Sequence, residues 1–483
     1  MPISLRTLES FGDVAAEDDA VLEYFLTTDA VERITTNKTL LVLGRKGAGK
    51  TAIVRHFTEG CEDKFSKALN LRGYPWNIHA QRVDRGASDI ETYVSSWRYL
   101  IALEFASLIL RDTENPQYEK VIDLTAFFND NYGGIDPSLS DILRPRRLRI
   151  SKLNLQSAIL GNQLGGVELD RGAGDLQLGS ELNALSGSIL ETAYEVAANE
   201  GLGPYILHFD ELDQGLSAKD ISRSKMLIGL ILAARDIRRE TEQRGSLLRP
   251  VIYLRSDLWD DLEFSDKNKI SQTVALNLEW SSDALFALVA ERIKARIEPN
   301  AVWDEIVDPD FMRGSQTKWN HILARTFLRP RDVIRFLNAA LTEAKRREDE
   351  PLILTNPDIV NSREPYSAYL KEELDDEILP HWARWEQALQ ACSAISTITF
   401  ERDDFIREYA NRRTQDNDVE PDEALELLYR FSVIGYARRS GYGGSSWAFQ
   451  YTDPQAGWDN GATRFKVHLG LKEYAKLREE RQG

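Results

Sequence analysis

The sequence predicts an α/β protein, with a core built on a parallel sheet, a helical lid after it and a small C-terminal domain of helices and strands. Three observations carry this. A glycine-rich turn separates an apolar run from a helical run in "LLVLGRKGAGKTAIVRHF", residues 40–57. Two later apolar runs, in "GPYILHFDELDQG" (203–215) and "PVIYLRSDLWDDL" (250–262), end in polar residues. From about residue 380 the pattern becomes helix, helix, helix, strand, turn, strand.

Bulk properties bound the function. At 483 residues the chain is long enough for two or three domains. With 42% apolar and 28% charged residues it has the make-up of a folded globular protein. It has no run of 18 apolar residues, so no membrane span is expected. The N-terminus lacks the basic start and apolar stretch of a secretory signal, and Cys61 and Cys392 lie far apart, which together predict a cytoplasmic protein without disulfides. A net charge of −17 argues against a surface that is basic all over but leaves room for a local basic face. The histidines and cysteines show no zinc-binding spacing, and His208, inside an apolar run, reads as a core residue.

In the first run, "TLLVL" reads as a buried strand and "TAIVRHF" as a helix. Between them Gly44, Gly49, Lys50 and Thr51 fit G-x-x-x-x-G-K-[ST], the phosphate-binding loop. Glycines let backbone amides turn inward and approach phosphate oxygens, and the helix N-terminus adds its dipole. Residues Gly44, Arg45, Lys46, Gly47, Ala48, Gly49, Lys50, Thr51 and Ala52 are therefore the expected nucleotide-binding set. Lys50 would reach the β- and γ-phosphates, and the Thr51 hydroxyl would hold Mg²⁺. The expected ligands are ATP and Mg²⁺.

The second run reads as a strand, Tyr205 to Phe209, with Asp210 and Glu211 at its end. Ligands of parallel α/β sheets gather at the carboxyl ends of strands. Asp210 there would hold Mg²⁺ through water, and Glu211 would orient and deprotonate the attacking water, with Asp213 a third acid. The third run is expected beside the Asp210 strand. Its Arg255 or Ser256 would sense phosphate, or Ser256 and Asp257 would cap the next helix. The two readings are compatible.

In "RTFLRPRDVIRFLNAALTEAKRR", residues 325–347, Pro330 suits a first helical turn, and Val333, Phe336, Leu337 and Ala340 recur at helical spacing. Arg329 and Arg331 stand at the end of the helix where the dipole disfavours cations. Either a nearby anion such as an ATP phosphate offsets this, or the arginines are surface residues or paired to Asp332.

The expected division is a helical flank over 1–37, an ATPase core over 38–280, a helical lid over 281–348, a connection over 349–379 and a winged-helix-like domain over 380–483. The core carries an insertion at about 115–190. Within the insertion, residues 144–152 form a basic knot from Arg144 to Lys152, and residues 165–187 alternate with period 2 around "RGAG", which reads as a hairpin or a glycine-rich loop. A winged helix contacts either protein or DNA. Arg438 and Arg439 suit phosphate, but Asp403, Asp404, Asp416, Asp418, Glu420, Asp422 and Glu423 surround them in sequence.

"GRKGAGKTA", "FDELD", "YLRSDLW" and "LRPRDVIRFLN", in that order, resemble bacterial P-loop ATPases close to the AAA+ ATPases of the origin-recognition type and to STAND ATPases. "SFGDVAAEDDAVLEYFLTT" and "LLYRFSVIGYARR" are similar to one little-characterised bacterial family among them. The resemblance implies a P-loop NTPase fold. It implies Lys50, Thr51, Asp210 and Glu211 as the ATPase site and Arg331 as a sensor arginine in a helical lid. It also places Glu17 to Asp19 beside the adenine. Relatives take an arginine finger from a neighbouring subunit, for which Arg235, Arg238 and Arg239 are the candidates. The expected function is an ATP-hydrolysing regulatory switch, acting in a homo-oligomer or on a partner protein. The alternatives are a DNA-binding ATPase of the origin-recognition or transposition-regulator type, gripping DNA through the winged helix and residues 144–152, and a sensor in bacterial defence against phage.

Overall fold

The structure is a computed structural model that describes residues 3–61, 65–72, 74, 90–143, 176–201, 203–212, 221–413, 419–439 and 445–479. Asp213, the basic segment 144–152, the "RGAG" turn, Asp416, Asp418 and the Arg439 side chain lie outside the described residues. The chain divides into two compact units. One comprises Thr27–Arg45 and Lys50–Leu278; the other comprises Met1–Leu26, Lys46–Gly49 and Glu279–Gly483.

The first unit is built on five short strands: β1 (Leu41–Leu43), β2 (Ser66–Asn70), β3 (Tyr205–Asp210), β4 (Leu248–Leu254) and β5 (Ala275–Asn277). They form one sheet in the order β2-β3-β4-β1-β5, and every neighbouring pair is parallel. β1 and β3 are buried along their whole length, as expected of apolar runs covered on both faces. The helices are α1 (Asp29–Thr35), α2 (Lys50–Arg55), α3 (Ile90–Asp112), α4 (Glu119–Tyr132), α5 (Leu139–Leu143), α6 (Leu176–Glu200), α7 (Ile221–Glu242), α8 (Ser256–Asp261) and α9 (Lys267–Thr273). α3 is apolar around nearly its whole circumference and accordingly buried, from Trp97 to Leu110. α7 crosses it so closely at Gly229 that a Cβ there would lie 2.6 Å from the Tyr93 Cβ. The parallel sheet, the strand order and the glycine loop after β1 make this an α/β, P-loop NTPase-like fold.

Two sequence expectations are corrected here. The half of the supposed hairpin that is described, residues 176–187, is the start of α6. Leu182, Leu185, Ile189, Ala193, Val196 and Ala197 are its buried stripe, so the period is 3.6 rather than 2. The described part of the expected helical flank, residues 3–37, is mostly irregular, with one-turn helices at Leu5–Thr7 and Val21–Tyr24 and the α-helix α1.

The second unit contains α10 (Ser282–Arg296), α11 (Trp303–Ile306), α12 (Lys318–Leu323), α13 (Pro330–Ala344), α14 (Asn356–Asn361), α15 (Arg363–Ile378), α16 (Trp385–Ile395), α17 (Arg402–Ala410) and α18 (Pro421–Arg430). The region read as a connection is helical. α14 is opened by a Thr355–Asp358 capping box, and α15 buries Tyr366, Leu370, Leu374 and Ile378. The N-terminal segment packs in this unit through Leu5, Leu8 and Phe11, with the Leu5 amide donating to the Leu352 carbonyl at 2.8 Å. At the C-terminus β6 (Thr399–Glu401), β7 (Ile434–Arg439), β8 (Ser445–Ala448) and β9 (Arg464–Val467) form an antiparallel sheet in the order β6-β9-β7-β8. The sequence pattern shows β7 and β8 but not β6 or β9. Cys392 is fully buried in α16, where burial pushes its thiol up to about 12, whereas Cys61 is half-buried.

Candidate nucleotide site

In the sheet unit β1 ends at Leu43, and the Gly44 amide donates to the Leu254 carbonyl of β4 at 3.2 Å. α2 opens with Lys50, Thr51 and Ala52. The Lys50 Nζ donates to the carbonyls of Gly44 (2.8 Å) and Arg45 (3.2 Å), so the lysine folds back over the start of its own loop. Gly47 (φ +79°) and Gly49 (φ +100°) sit in the left-handed region, where a side chain is strained.

β4 lies between the loop strand and the acidic strand. The register sets the height of the acids. Leu43 pairs with Leu254, and Phe209 pairs with Ile252. Asp210, the next residue and the last of β3, therefore stands one position short of Leu254 and Leu43, so the acidic strand and the loop strand finish at the same edge of the sheet. With one strand between them, the two chain ends lie roughly 10 Å apart. Asp210 is 6% exposed, and its Oδ1 accepts the Glu211 amide at 2.9 Å. Glu211 itself adopts φ +56°, a left-handed conformation uncommon for a residue with a long side chain.

Arg255, at the end of β4, is held by both oxygens of Asp257 (3.0 and 2.6 Å). It occupies the N-cap position of α8 without a side-chain cap, so Ser256 is the first helical residue and not the cap. His208 is buried between Phe57, stacked at 5.2 Å, and the Tyr253 hydroxyl at 2.9 Å. Burial pushes its pKa down to about 3, so it is a neutral core group. Of the arginine-finger candidates, Arg235 pairs with Asp266, and Arg238 bonds Glu242 and the Asn37 carbonyl. Arg239 is exposed.

In the second unit the tip of the loop, Lys46–Gly49, is gripped through its carbonyls. The Lys46 carbonyl accepts Arg329 Nη1 at 2.9 Å, the Gly47 carbonyl faces the Arg331 amide at 3.5 Å, and the Ala48 carbonyl accepts Trp280 Nε1 at 2.8 Å. The position of Arg329 and Arg331 at the helix start raised one question for both, the resemblance singling out only Arg331 as a sensor, and the structure gives them different partners. Arg329, 2% exposed, is the one that pairs with Asp332, through Nε and Nη2 at 2.9 Å each, and it also reaches Glu377. Arg331 donates instead to Glu373 (3.1 Å) and to the Val14 carbonyl (3.1 Å). Lys46 pairs with Asp376 and lies 3.5 Å from Glu373. Protein carboxylates thus supply the anions that the two helix-opening arginines demand.

Asp19 is 4% exposed and buried in an ion network, accepting Arg292 (2.8 Å), Arg296 (3.2 Å) and the Tyr24 hydroxyl, so it anchors the N-terminal segment to α10. In the C-terminal sheet Arg438 pairs with Asp453 at 2.6 Å. The residues that sequence reading missed are Trp280, Glu373 and Glu377. Their partners are 42 to 232 positions away in the chain, and no local signal announces them.

By their chemistry the loop amides of the second unit suit phosphate oxygens, and the Thr51 and Asp210 oxygens of the sheet unit suit Mg²⁺. Among the described residues no acceptor takes a hydrogen bond from the amides of Gly47, Ala48 or Gly49. The oxygen-only set of Thr51 and Asp210 suits a hard cation that keeps several waters and phosphate ligands.

Comparisons with known proteins add the following. Residues 283–375 match the family model described as the FunZ-associated C-terminal helical domain. Over 369 residues the chain is 24% identical to the "Putative transposon gamma-delta 80.3 kDa protein" of Escherichia coli strain K12. That alignment covers 72% of this chain and 48% of the relative, so the chain spans about half the length of the curated protein it matches. A solved structure of the Aeropyrum pernix Orc1 protein in complex with DNA aligns over 97% of both chains, at 13% identity and a TM-score of 0.37. Cdc6p from Pyrobaculum aerophilum aligns over 92% of this chain and 89% of its own, at 13% identity and a TM-score of 0.28. Both likenesses are remote, and the fold assignment rests on the strand order and the loop. Among the described residues no helix is long and apolar enough to cross a membrane.

Proposed function

We propose that this chain is a Mg²⁺-dependent ATPase of the AAA+ and STAND type, working as a nucleotide-controlled switch in the cytoplasm. The observation that carries the reading is the strand order, with β4 between the loop strand and the acidic strand and Asp210 ending its strand at the sheet edge where the glycine loop begins. The amides of Gly47, Ala48 and Gly49 receive phosphate oxygens, with Gly44, Arg45, Lys46 and Ala52 completing the cradle. Lys50 exchanges its loop carbonyls for the β- and γ-phosphates. Thr51 and Asp210 hold the magnesium ion, which when bound neutralises charge building on the phosphates. Glu211 accepts the proton of the attacking water, and its backbone link to Asp210 fixes where its carboxylate starts. Arg331, whose backbone meets the loop at Gly47, is the sensor cation and reaches the γ-phosphate by leaving Glu373.

The test is a pair of substitutions. Lys50→Ala is expected to abolish ATP binding. Glu211→Gln is expected to keep binding and lower turnover by orders of magnitude. ATP affinity retained in the first, or near-normal turnover in the second, removes the residue from its role.

A DNA-associated role is the second reading. Residues 385–467 run helix, strand, helix, helix, then three strands, an order compatible with a winged helix. Salt-dependent DNA binding that is lost on changing Arg146, Arg147, Arg438 and Arg439 supports it. ATP-dependent assembly seen by size exclusion, without DNA binding, favours a sensor that oligomerises, as in phage defence.

A further inference from the structure

We infer that Trp280 and Arg329 are positioning residues for phosphate binding, and that they aim the glycine loop by holding its carbonyl side. The inference rests on the ATP-binding reading above and adds two residues to it.

The argument begins with the peptide unit. In a trans peptide the carbonyl of one residue and the amide of the next point in opposite directions. The carbonyls of Lys46, Gly47 and Ala48 face donors: Arg329 Nη1 at 2.9 Å, the Arg331 amide at 3.5 Å and Trp280 Nε1 at 2.8 Å. The amides of Gly47, Ala48 and Gly49 therefore point the other way, and none of the three meets an acceptor among the described residues. A flexible loop with two glycines at positive φ would otherwise sample many peptide orientations, and ordering it on binding would cost affinity. The three donors to the loop carbonyls supply that ordering from the protein side.

Arg329 is itself fixed. Arg329 spends Nε and Nη2 on Asp332 and shares Nη1 between Glu377 and the Lys46 carbonyl, which leaves its planar fork one orientation. The Trp280 ring lies beside the loop, 3.9 Å from where a Gly49 Cβ would stand, and its hydrogen bond to the loop is to the Ala48 carbonyl. Neither side chain needs to touch nucleotide for this effect.

The test is Trp280→Phe, which keeps the ring and deletes the N–H, measured beside wild type and Lys50→Ala. The expected result is a rise of about tenfold in the dissociation constants of both ATP and ADP, as for one lost hydrogen bond on the cradle. Turnover at saturating ATP and the melting temperature should stay near wild type. That split between affinity and turnover is what a merely structural role would not give. Arg329→Lys should weaken nucleotide binding further, with its fold checked by circular dichroism. Wild-type affinity in Trp280→Phe, while Lys50→Ala has lost binding, overturns the positioning role alone. Undiminished ATP affinity in Lys50→Ala overturns the nucleotide site itself, and the positioning role with it.

Discussion

Gly47 shows how little room one residue can have. Its φ of +79° is strained for any L side chain, and a Cβ there would stand 2.8 Å from the Arg331 Cβ and 2.9 Å from its Cδ. Gly47→Ala is therefore expected to weaken ATP binding at least tenfold while the fold survives. Isothermal titration checks the affinity, and circular dichroism checks the fold. Wild-type affinity would mean that the loop has slack the structure does not contain. Glu211 is the opposite case, a residue that holds φ +56° although glycine would sit there without strain. Such a conformation costs about 1–3 kcal/mol and persists where the surroundings over-determine it, which is a signature of functional positions.

At the scale of elements, α13 and α15 form the framework behind the loop tip. α13 begins with Pro330 and points Asp332 inward at 0% exposure, where it accepts both Arg329 and the Phe327 amide. Asp332→Asn leaves a buried guanidinium short of charge, and a loss of roughly 3–5 kcal/mol is expected from urea unfolding. A loss below about 1 kcal/mol would show that Glu377 alone suffices. α13 was legible in sequence because its apolar residues keep helical spacing and Pro330 marks its start. The loop, β1, β3 and β4 were legible for a similar reason, as apolar runs with abrupt polar ends. The α15 acids were not, because an arginine's charge demand can be read locally while the acid that meets it lies 48 residues on at Glu377. The short strands failed similarly. β9 is only four residues long, and its partner β6 lies about sixty positions earlier, so pairing rather than composition defines it. The hairpin reading of 165–187 gave weight to a few alternating residues where a longer window contains the stripe of α6.

At the scale of the molecule, each of the two units buries a neutral histidine. Burial pushes His208 down to about 3, and burial with the nearby Arg325, Arg363 and Lys472 charges does the same to His321. In the unfolded chain both titrate near 6.5. Below that pH the unfolded state binds protons that the folded state refuses, so stability is fully present above about 6.5 and is lost as pH falls toward 3. Melting temperature is expected to drop steadily across that window, and His208→Gln should flatten part of the drop in the sheet unit. An unchanged slope would assign the acid sensitivity to carboxylates. The two cysteines differ in a way that is useful in the laboratory. Cys392 is sealed in α16 with its thiol pushed up to about 12, while Cys61 is half-buried just after the turn that follows α2. A maleimide dye is thus expected to attach at one mole per mole of native protein, and mass spectrometry of the labelled peptide would verify this. That places a fluorescent reporter eleven residues beyond Lys50 without altering a single codon.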